Sequence, residues 1–164
     1  MPKTAKPAVP DADRTPLAKL TEAAVHGIVG YQLAQATIVT NQVFDDRVGR
    51  RGGLRRVEFT ILALVQGNPD VTARQLARAL AVTPPNIAVW LDKLEARGLI
   101  ARQRSASDAR MQHVRITRAG SQLVDRSAQL LLEGEGAALS ALSTAERAML
   151  VELLHKVALS RKRE

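Results

Sequence analysis

The proline pair in the segment TPPNIAVWLDKLEARG fixes the start of a helix. Pro84 and Pro85 stand directly before an apolar pattern at helical spacing, which is formed by Ile87, Leu91 and Leu94. Proline lacks a backbone N–H and is tolerated in a helix only within its first turn. We therefore expect a helix that begins at Pro84, with Thr83 as its N-cap and Gly98 at its end.

A shorter helix is expected just before this one. Thr72 and Gln75 have the spacing of a capping box, and Leu76 and Leu80 follow on one face, so the pattern predicts a helix over 72–80. The tight connection AVT then leads into the helix that starts at Pro84. Two short helices joined in this way are typical of a helix-turn-helix, whose second helix enters the major groove of DNA. The residues of that helix that point away from the apolar stripe are Pro85, Asn86, Val89 and Lys93.

A β-hairpin is expected next. The segments LIARQR and QHVRIT alternate apolar and basic residues, and the turn-rich segment SASDARM separates them. The tip carries Asp108 and Arg110, and the arms carry Arg102, Arg104 and Arg115. A hairpin with this charge is suited to lie against phosphate or to reach into a minor groove.

Long helices are expected on both sides of this region. Thr15 as N-cap and Pro16 at the first helical position predict a helix that runs to about Phe44. Its length would be roughly 40 Å, more than a small core can cover, so a partner chain would bury the remainder. The Gly-Gly pair and clustered arginines of DDRVGRRGGLRR predict a break, before an apolar helix over 57–65.

Two further helices are expected after the hairpin. Thr117 is placed to cap the first, and Ser143 with Glu146 forms a capping box at the start of the second. The N-terminal stretch MPKTAKPAVPDADRTP contains three internal prolines and reads as a disordered tail.

Charge and composition favour a polyanionic partner. The chain of 164 residues has a net charge of +8, and a basic surface gains affinity for phosphates by releasing counterions. There is no cysteine, which excludes disulfides, thiolate metal sites and thiol-based sensing. No apolar run suggests a membrane span or a signal peptide, so we expect no membrane partner and a cytoplasmic location.

The order of elements and several short motifs together resemble one protein family. The segment VTARQLARALAVTPPNIAVWLDKLEARGLIARQRSASDARMQHVRITRAG is similar to the winged helix-turn-helix of the MarR (multiple antibiotic resistance regulator) family of bacterial transcription factors. The resemblance is specific in LDKLEARGLI, in the D-x-R of Asp108 and Arg110, and in the ITRAG that leaves the hairpin. It is strongest over residues 54–120.

The resemblance implies a fold and a division of the chain. The fold class is mainly α with a small β-hairpin wing, a winged helix-turn-helix between N- and C-terminal dimerisation helices. The chain would consist of a disordered tail (1–14), a dimerisation helix and linker (15–50), the DNA-binding domain (54–120) and C-terminal dimerisation helices (121–160).

The resemblance also implies partners and DNA contacts. Members form homodimers on pseudo-palindromic operators in double-stranded DNA, commonly repress genes, and release DNA when a small, often aromatic, ligand binds. Carried over by position, the expected DNA contacts are Arg74, Thr83, Pro84, Pro85, Asn86, Val89, Lys93, Asp108 and Arg110. Asp108 would orient Arg110 through a charge-assisted contact.

The outer face of the second helix departs from the family pattern. Many members have an arginine where this chain has Val89, so bidentate reading of guanine by arginine is absent there. Readout would depend on Thr83, on Asn86, which suits adenine, on methyl contacts from Val89 or the prolines, and on Lys93. We expect an A/T-leaning half-site with substantial indirect readout.

Three further features each allow two interpretations. Trp90 is interpreted as packing rather than as a base or ligand contact. His26 and Tyr31 could line a ligand pocket, with Arg55 or Arg56 holding a carboxylate, although dimer-interface or surface positions explain the first two more simply. The arginines between Arg47 and Arg56 either contact DNA phosphate or form a solvated corner.

No set of residues in the sequence suggests an enzyme, a metal site or a cofactor. His26, His113 and His155 lack metal-ligand spacing, and no nucleophile-elbow, phosphate-loop or dinucleotide motif occurs. We expect a sequence-specific transcriptional regulator, a repressor released by a small aromatic or phenolic ligand. The alternative is a ligand-independent architectural or constitutive DNA-binding protein.

Overall fold

A computed structural model of the chain describes residues 14–104 and 112–161. These residues divide between Gln42 and Val43 into two compact units, which are described separately below. Within the described ranges, no helix is both long and apolar enough to cross a membrane. The expected tail at 1–14 falls almost entirely outside them.

The first unit begins with a turn, so the prediction of a helix from Thr15 is wrong. The Thr15 hydroxyl donates to Leu17 O (2.5 Å) and accepts from Leu20 N (3.0 Å), and Ala18 and Lys19 have positive φ of 62° and 51°. This left-handed pair reverses the chain. A threonine followed by proline suits the start of such a turn as well as that of a helix, so the local signal was ambiguous.

Helix α1 therefore starts later and is shorter than predicted. It spans Val29–Phe44, or 16 residues, which corresponds to about 24 Å instead of roughly 40 Å. Its last α-helical residue, Phe44, agrees with the prediction.

The break expected directly after α1 comes several residues later. A π-helical turn (Asp45–Gly49) and a short helical turn α2 (Arg50–Gly52) continue the helix. Val48 is 3% exposed and packs in the core, so tertiary packing holds this segment helical. The chain leaves the helix at Gly53, whose φ of 57° is left-handed.

Three helices build the core of the second unit. They are α3 (Arg56–Gly67), α4 (Ala73–Leu80) and α5 (Pro84–Ala96). The predicted capping box is present at α4: Thr72 Oγ1 accepts from Gln75 N at 3.3 Å, and Gln75 Oε1 accepts from Thr72 N at 2.9 Å. The side chains buried most completely among these helices are Ile61, Leu62, Val65, Leu76, Ile87, Leu91 and Leu94.

The end of α5 is a Schellman motif. Gly98 has φ 67°; its N–H donates to Glu95 O (2.8 Å), and Leu99 N donates to Leu94 O (3.0 Å). Gly98 therefore ends the helix as predicted.

The predicted hairpin is present as β1 (Ile100–Arg104) and β2 (Gln112–Ile116), which pair antiparallel with Ile100 opposite Ile116. On its other side β2 is joined to the segment before α4, because Val114 N donates to Val71 O at 2.8 Å. The base of the hairpin is thus fixed to the helix-turn-helix.

Two helices follow the hairpin, α6 (Arg118–Ala138) and α7 (Thr144–Leu159). Thr117 caps α6 by accepting from Gly120 N at 3.1 Å. Ser143 and Glu146 form the predicted capping box, and their hydrogen bonds lower the pKa of Glu146. The fold is mainly α-helical with a two-stranded wing, as expected.

Candidate nucleic-acid interface

The outer face of α5 is the surface that the structure offers to a groove of DNA. We use "outer face of α5" for Thr83, Pro84, Pro85, Asn86, Val89 and Lys93, all of which are exposed. Ile87, Leu91 and Leu94 on the opposite side are at most 1% exposed. The structure therefore leaves all six predicted site residues exposed, at the start of α5 and along the side opposite its buried stripe.

The first turn of α5 has an unusual hydrogen-bonding pattern. Thr83 is the N-cap residue, but its side chain makes no cap hydrogen bond, contrary to expectation. Pro84 and Pro85 occupy the first two helical positions. Neither has an N–H group that could donate a hydrogen bond to the Thr83 hydroxyl. The Thr83 hydroxyl is consequently left for contacts outside the helix.

Two of the predicted DNA-contacting residues are cations. Lys93 on α5 and Arg74 in the first turn of α4 are both exposed. Neither makes an ion pair with another residue of the described ranges. Both can therefore meet phosphate oxygens without first breaking a protein contact.

Arg102 on β1 has a different role from the one suggested by its sequence. It was expected to face phosphate, but its Nη2 contacts Asp92 Oδ1 at 2.5 Å and its Nη1 lies 3.5 Å from Glu95 Oε2. Its backbone N–H also donates to Glu95 Oε1 at 3.1 Å. Arg102 thus joins the wing to α5, and it neutralises acidic side chains next to Lys93.

Arg115 on β2 is likewise paired within the protein. Its Nη2 donates to Asp70 Oδ1 at 2.8 Å, and His113 Nδ1 lies 2.7 Å from Asp70 O. Arg104 is exposed and forms no ion pair with a described residue. Asp108 and Arg110, the predicted wing-tip pair, lie outside the described residues.

An ion pair between a buried carboxylate and an exposed arginine holds the far end of α5. Glu58 is 4% exposed; its Oε2 accepts from Arg55 N at 3.0 Å and from Arg97 Nη1 at 3.2 Å. The start of α3 and the end of α5 are therefore joined through one carboxylate. Sequence reasoning missed this residue because only the tertiary fold brings positions 58 and 97 together.

The side chains of His26 and Tyr31 both contact a third residue, Glu22. Within the first unit, Tyr31 Oη donates to Glu22 Oε1 at 2.9 Å, and His26 Nδ1 lies 3.4 Å from Glu22 Oε2. The hydrogen bond to Glu22 raises the pKa of Tyr31. Glu22, which is 6% exposed, was not expected, and nothing in the local sequence distinguishes it.

Arg55 belongs to the second unit, where it lines a concavity of about 620 Å³ together with Asp45, Gly49 and Arg56. Arg56 Nη1 donates to Asp45 Oδ1 at 2.9 Å, so its charge is already compensated. The Arg55 guanidinium makes no ion pair with a described residue and is exposed. Of the two arginines, Arg55 is the one with an uncompensated charge.

Part of the arginine cluster after α1 is also paired within the protein. Arg50 Nη1 lies 3.0 Å from Asp46 Oδ1, and Arg56 is paired with Asp45 as above. Acidic neighbours therefore offset two of the cluster's charges, which weakens its attraction for phosphate.

Comparison with known proteins found one matching family model and several solved structures of similar fold. Residues 52–111 match the family model described as the MarR family. BpsR of Bordetella bronchiseptica, whose structure addresses regulation of DNA binding by 6-hydroxynicotinic acid, is 22% identical; the match covers 84% of this chain and 97% of BpsR, with a TM-score of 0.73.

Two other solved structures have similar folds. CouR of Rhodococcus jostii bound to p-coumaroyl-CoA is 22% identical, with 84% of this chain and 96% of CouR covered and a TM-score of 0.72. A MarR variant of E. coli complexed with operator DNA is 21% identical, with coverage of 78% and 91% and a TM-score of 0.68. At these identities the likeness shows the fold.

Proposed function

We propose that this chain, whose residues 52–111 match the MarR family model, is a homodimeric, operator-binding transcriptional repressor that a small aromatic ligand releases from DNA. The observation that carries this proposal is the outer face of α5, which presents six exposed side chains on a helix whose other side is locked into the core. A helix of this kind fits the width of a major groove.

Base reading in this proposal is done without arginine. Asn86 is suited to the paired donor and acceptor of adenine, and Val89, which is 50% exposed, is suited to the methyl group of thymine. The Thr83 hydroxyl and Lys93 add polar contacts. The half-site should therefore lean towards A/T, with further selectivity from the shape of the DNA.

In this proposal, contacts to the DNA phosphate backbone come from cations on the elements before and after α5. Arg74 supplies one near the start of α4, and Arg110, oriented by Asp108, is proposed from the family resemblance to supply another at the wing tip. The net charge of +8 makes these contacts strongly dependent on salt, because each neutralised phosphate releases counterions.

A second copy of the chain is proposed to cover α7. None of its residues is buried, and its exposed apolar side chains are Met149, Leu150, Val151, Leu153, Leu154, Val157 and Leu159. An apolar surface of this length favours association. We accordingly assign residues 121–160 and 15–50 to dimerisation and residues 54–120 to DNA binding.

An aromatic acid or ester is the proposed class of effector. Two proteins of similar fold bind or respond to such compounds, p-coumaroyl-CoA for CouR and 6-hydroxynicotinic acid for BpsR. The exposed Arg55 guanidinium at its concavity is suited to hold a carboxylate or phosphate. His26 and Tyr31, which belong to the first unit, stay separate predicted ligand residues, although both already contact Glu22.

The test is selection of binding sites from a random double-stranded library at fixed salt with excess competitor DNA, followed by footprinting. A repressor of this kind should return a pseudo-palindrome bound by a dimer, and one aromatic acid in a panel should release it. An architectural protein would return no preferred sequence, and none of the panel would release it. A G-rich consensus would contradict the proposed readout by Asn86 and Val89.

A further inference from the structure

Helix α7 is attached to other helices of its own unit by an arginine at each end. In its first turn, Arg147 Nη2 donates to Gly136 O and Leu139 O, at 3.3 and 3.2 Å, where α6 ends. Just beyond its last turn, Arg161 Nη1 donates to Ala79 O at 3.0 Å and Nη2 to Arg78 O at 3.3 Å. These two carbonyls lie in the last turn of α4.

The contact made by Arg161 is favourable both for the arginine cation and for the carbonyl groups at the end of α4. The last four carbonyls of a helix have no partner within it, and a cation is stabilised at that end by the helix dipole. The chain after α4 satisfies Ala77 O and Arg78 O through the N–H groups of Ala81 and Val82. Arg161 brings a donor to Ala79 O, and its planar fork can reach both carbonyls at once.

This contact has a mechanical consequence. From α4 the chain passes through Ala81, Val82 and Thr83 directly into α5. A shift of α4 against α7 would consequently move the outer face of α5 by a similar amount. No residue of α7 is buried in its own unit, so few contacts other than its two ends fix its direction.

We propose that Arg161 is a positioning residue that fixes α4 and α5 relative to α7 and thereby sets the half-site spacing that the dimer accepts. The inference rests on the proposed function, in which α7 packs against a second copy. With α7 held at the dimer interface, the Arg161 contact determines how far apart the two α5 helices stand. Proteins with this motif read half-sites one DNA turn apart, so a small change in that distance selects a different spacing.

The first experiment compares variants on operators that differ only in spacing. The operator selected with the wild-type protein is lengthened and shortened between half-sites by one and two base pairs. Arg161→Ala should lower discrimination between spacings by about fivefold, and Arg161→Lys should recover part of it. Arg14→Ala is the matched control, because it removes the same charge and a hydrogen bond to a backbone carbonyl, that of Lys19, at an exposed position outside the segments assigned to dimerisation and DNA binding.

The second experiment measures geometry without DNA. The chain has no cysteine, so Ala96→Cys at the exposed end of α5 gives one spin label per protomer and one distance per dimer. Arg161→Ala should broaden that distance distribution, while Arg14→Ala should leave it unchanged. If the Arg161→Ala variant is dimeric and both its distance distribution and its spacing preference are unchanged, the role of Arg161 is overturned, while the proposed function stands. If the wild-type protein is monomeric under the same conditions, both the proposed dimer and the role of Arg161 are overturned.

Discussion

The backbone of Gly120 lies directly against the carbonyl oxygen of Leu99, so that a Cβ atom at position 120 would overlap that oxygen. The same turn is held by Thr117, whose Oγ1 donates to Gly98 O at 2.7 Å and whose N–H donates to Leu99 O at 3.1 Å. The start of α6 is thereby pressed onto the connection between α5 and the wing. The glycine of the ITRAG segment is thus required by close packing.

Gly120→Ala should destabilise the protein by about 1 to 3 kcal/mol, since the alanine must displace backbone. Thermal or denaturant unfolding measures the loss. Gly67→Ala is the matched control, because a Cβ there would meet nothing within 4 Å. Equal effects of the two substitutions would show that the contact with Leu99 is unimportant.

Arg102→Ala should loosen the wing while changing global stability by less than about 1 kcal/mol, because its ion pairs are partly exposed. Detached from Asp92 and Glu95, the wing should lose its protection of the DNA at the edges of the footprint. Gln103→Ala, at the exposed neighbouring position of β1, serves as the control. A full-length footprint with Arg102→Ala would contradict this role.

Asn86→Ala should alter base preference at one position of each half-site, at a cost of about 1 to 3 kcal/mol for the preferred base. The measurement is competition binding with operators mutated one base pair at a time. Arg74→Ala provides the contrast, because Arg74 is proposed to contact phosphate and its loss should weaken binding to all these operators alike and reduce the salt dependence. An equal loss for Asn86→Ala on every sequence would rule out a base contact.

Arg55→Ala should raise the concentration of an aromatic acid needed to release DNA, with little change in operator affinity without the acid. Arg56→Ala should have the smaller effect on the acid, because Arg56 is already paired with Asp45. Titration of the acid against a preformed complex distinguishes the two variants. The reverse order would move the proposed carboxylate site to Arg56.

Much of the region from α4 to α5 was predictable because local signals determine it. The proline pair gave the start of α5, the Thr72 and Gln75 spacing gave that of α4, and Gly98 gave the end of α5. Such signals act within a few residues of each other, so they can be read from one sequence.

The sequence was less informative where the structure depends on residues distant in the chain, or where two local conformations compete. The turn at Ala18 and Lys19 replaced a predicted helix, since proline after threonine is compatible with both. The pairing of Arg102 with Asp92 turned an expected phosphate ligand into a connection within the protein. Roles in DNA contact remain predictions for every residue on the outer face of α5.

The two prolines at the start of α5 also bear on hydration. A helix start normally offers several N–H groups that hold water or phosphate oxygen, and here Pro84 and Pro85 supply none. The exposed rings, with Val89 behind them, give this helix an apolar leading end. Its entry into a groove lined by thymine methyl groups would release water from both surfaces, and calorimetry over a range of temperatures would record this as a negative heat-capacity change.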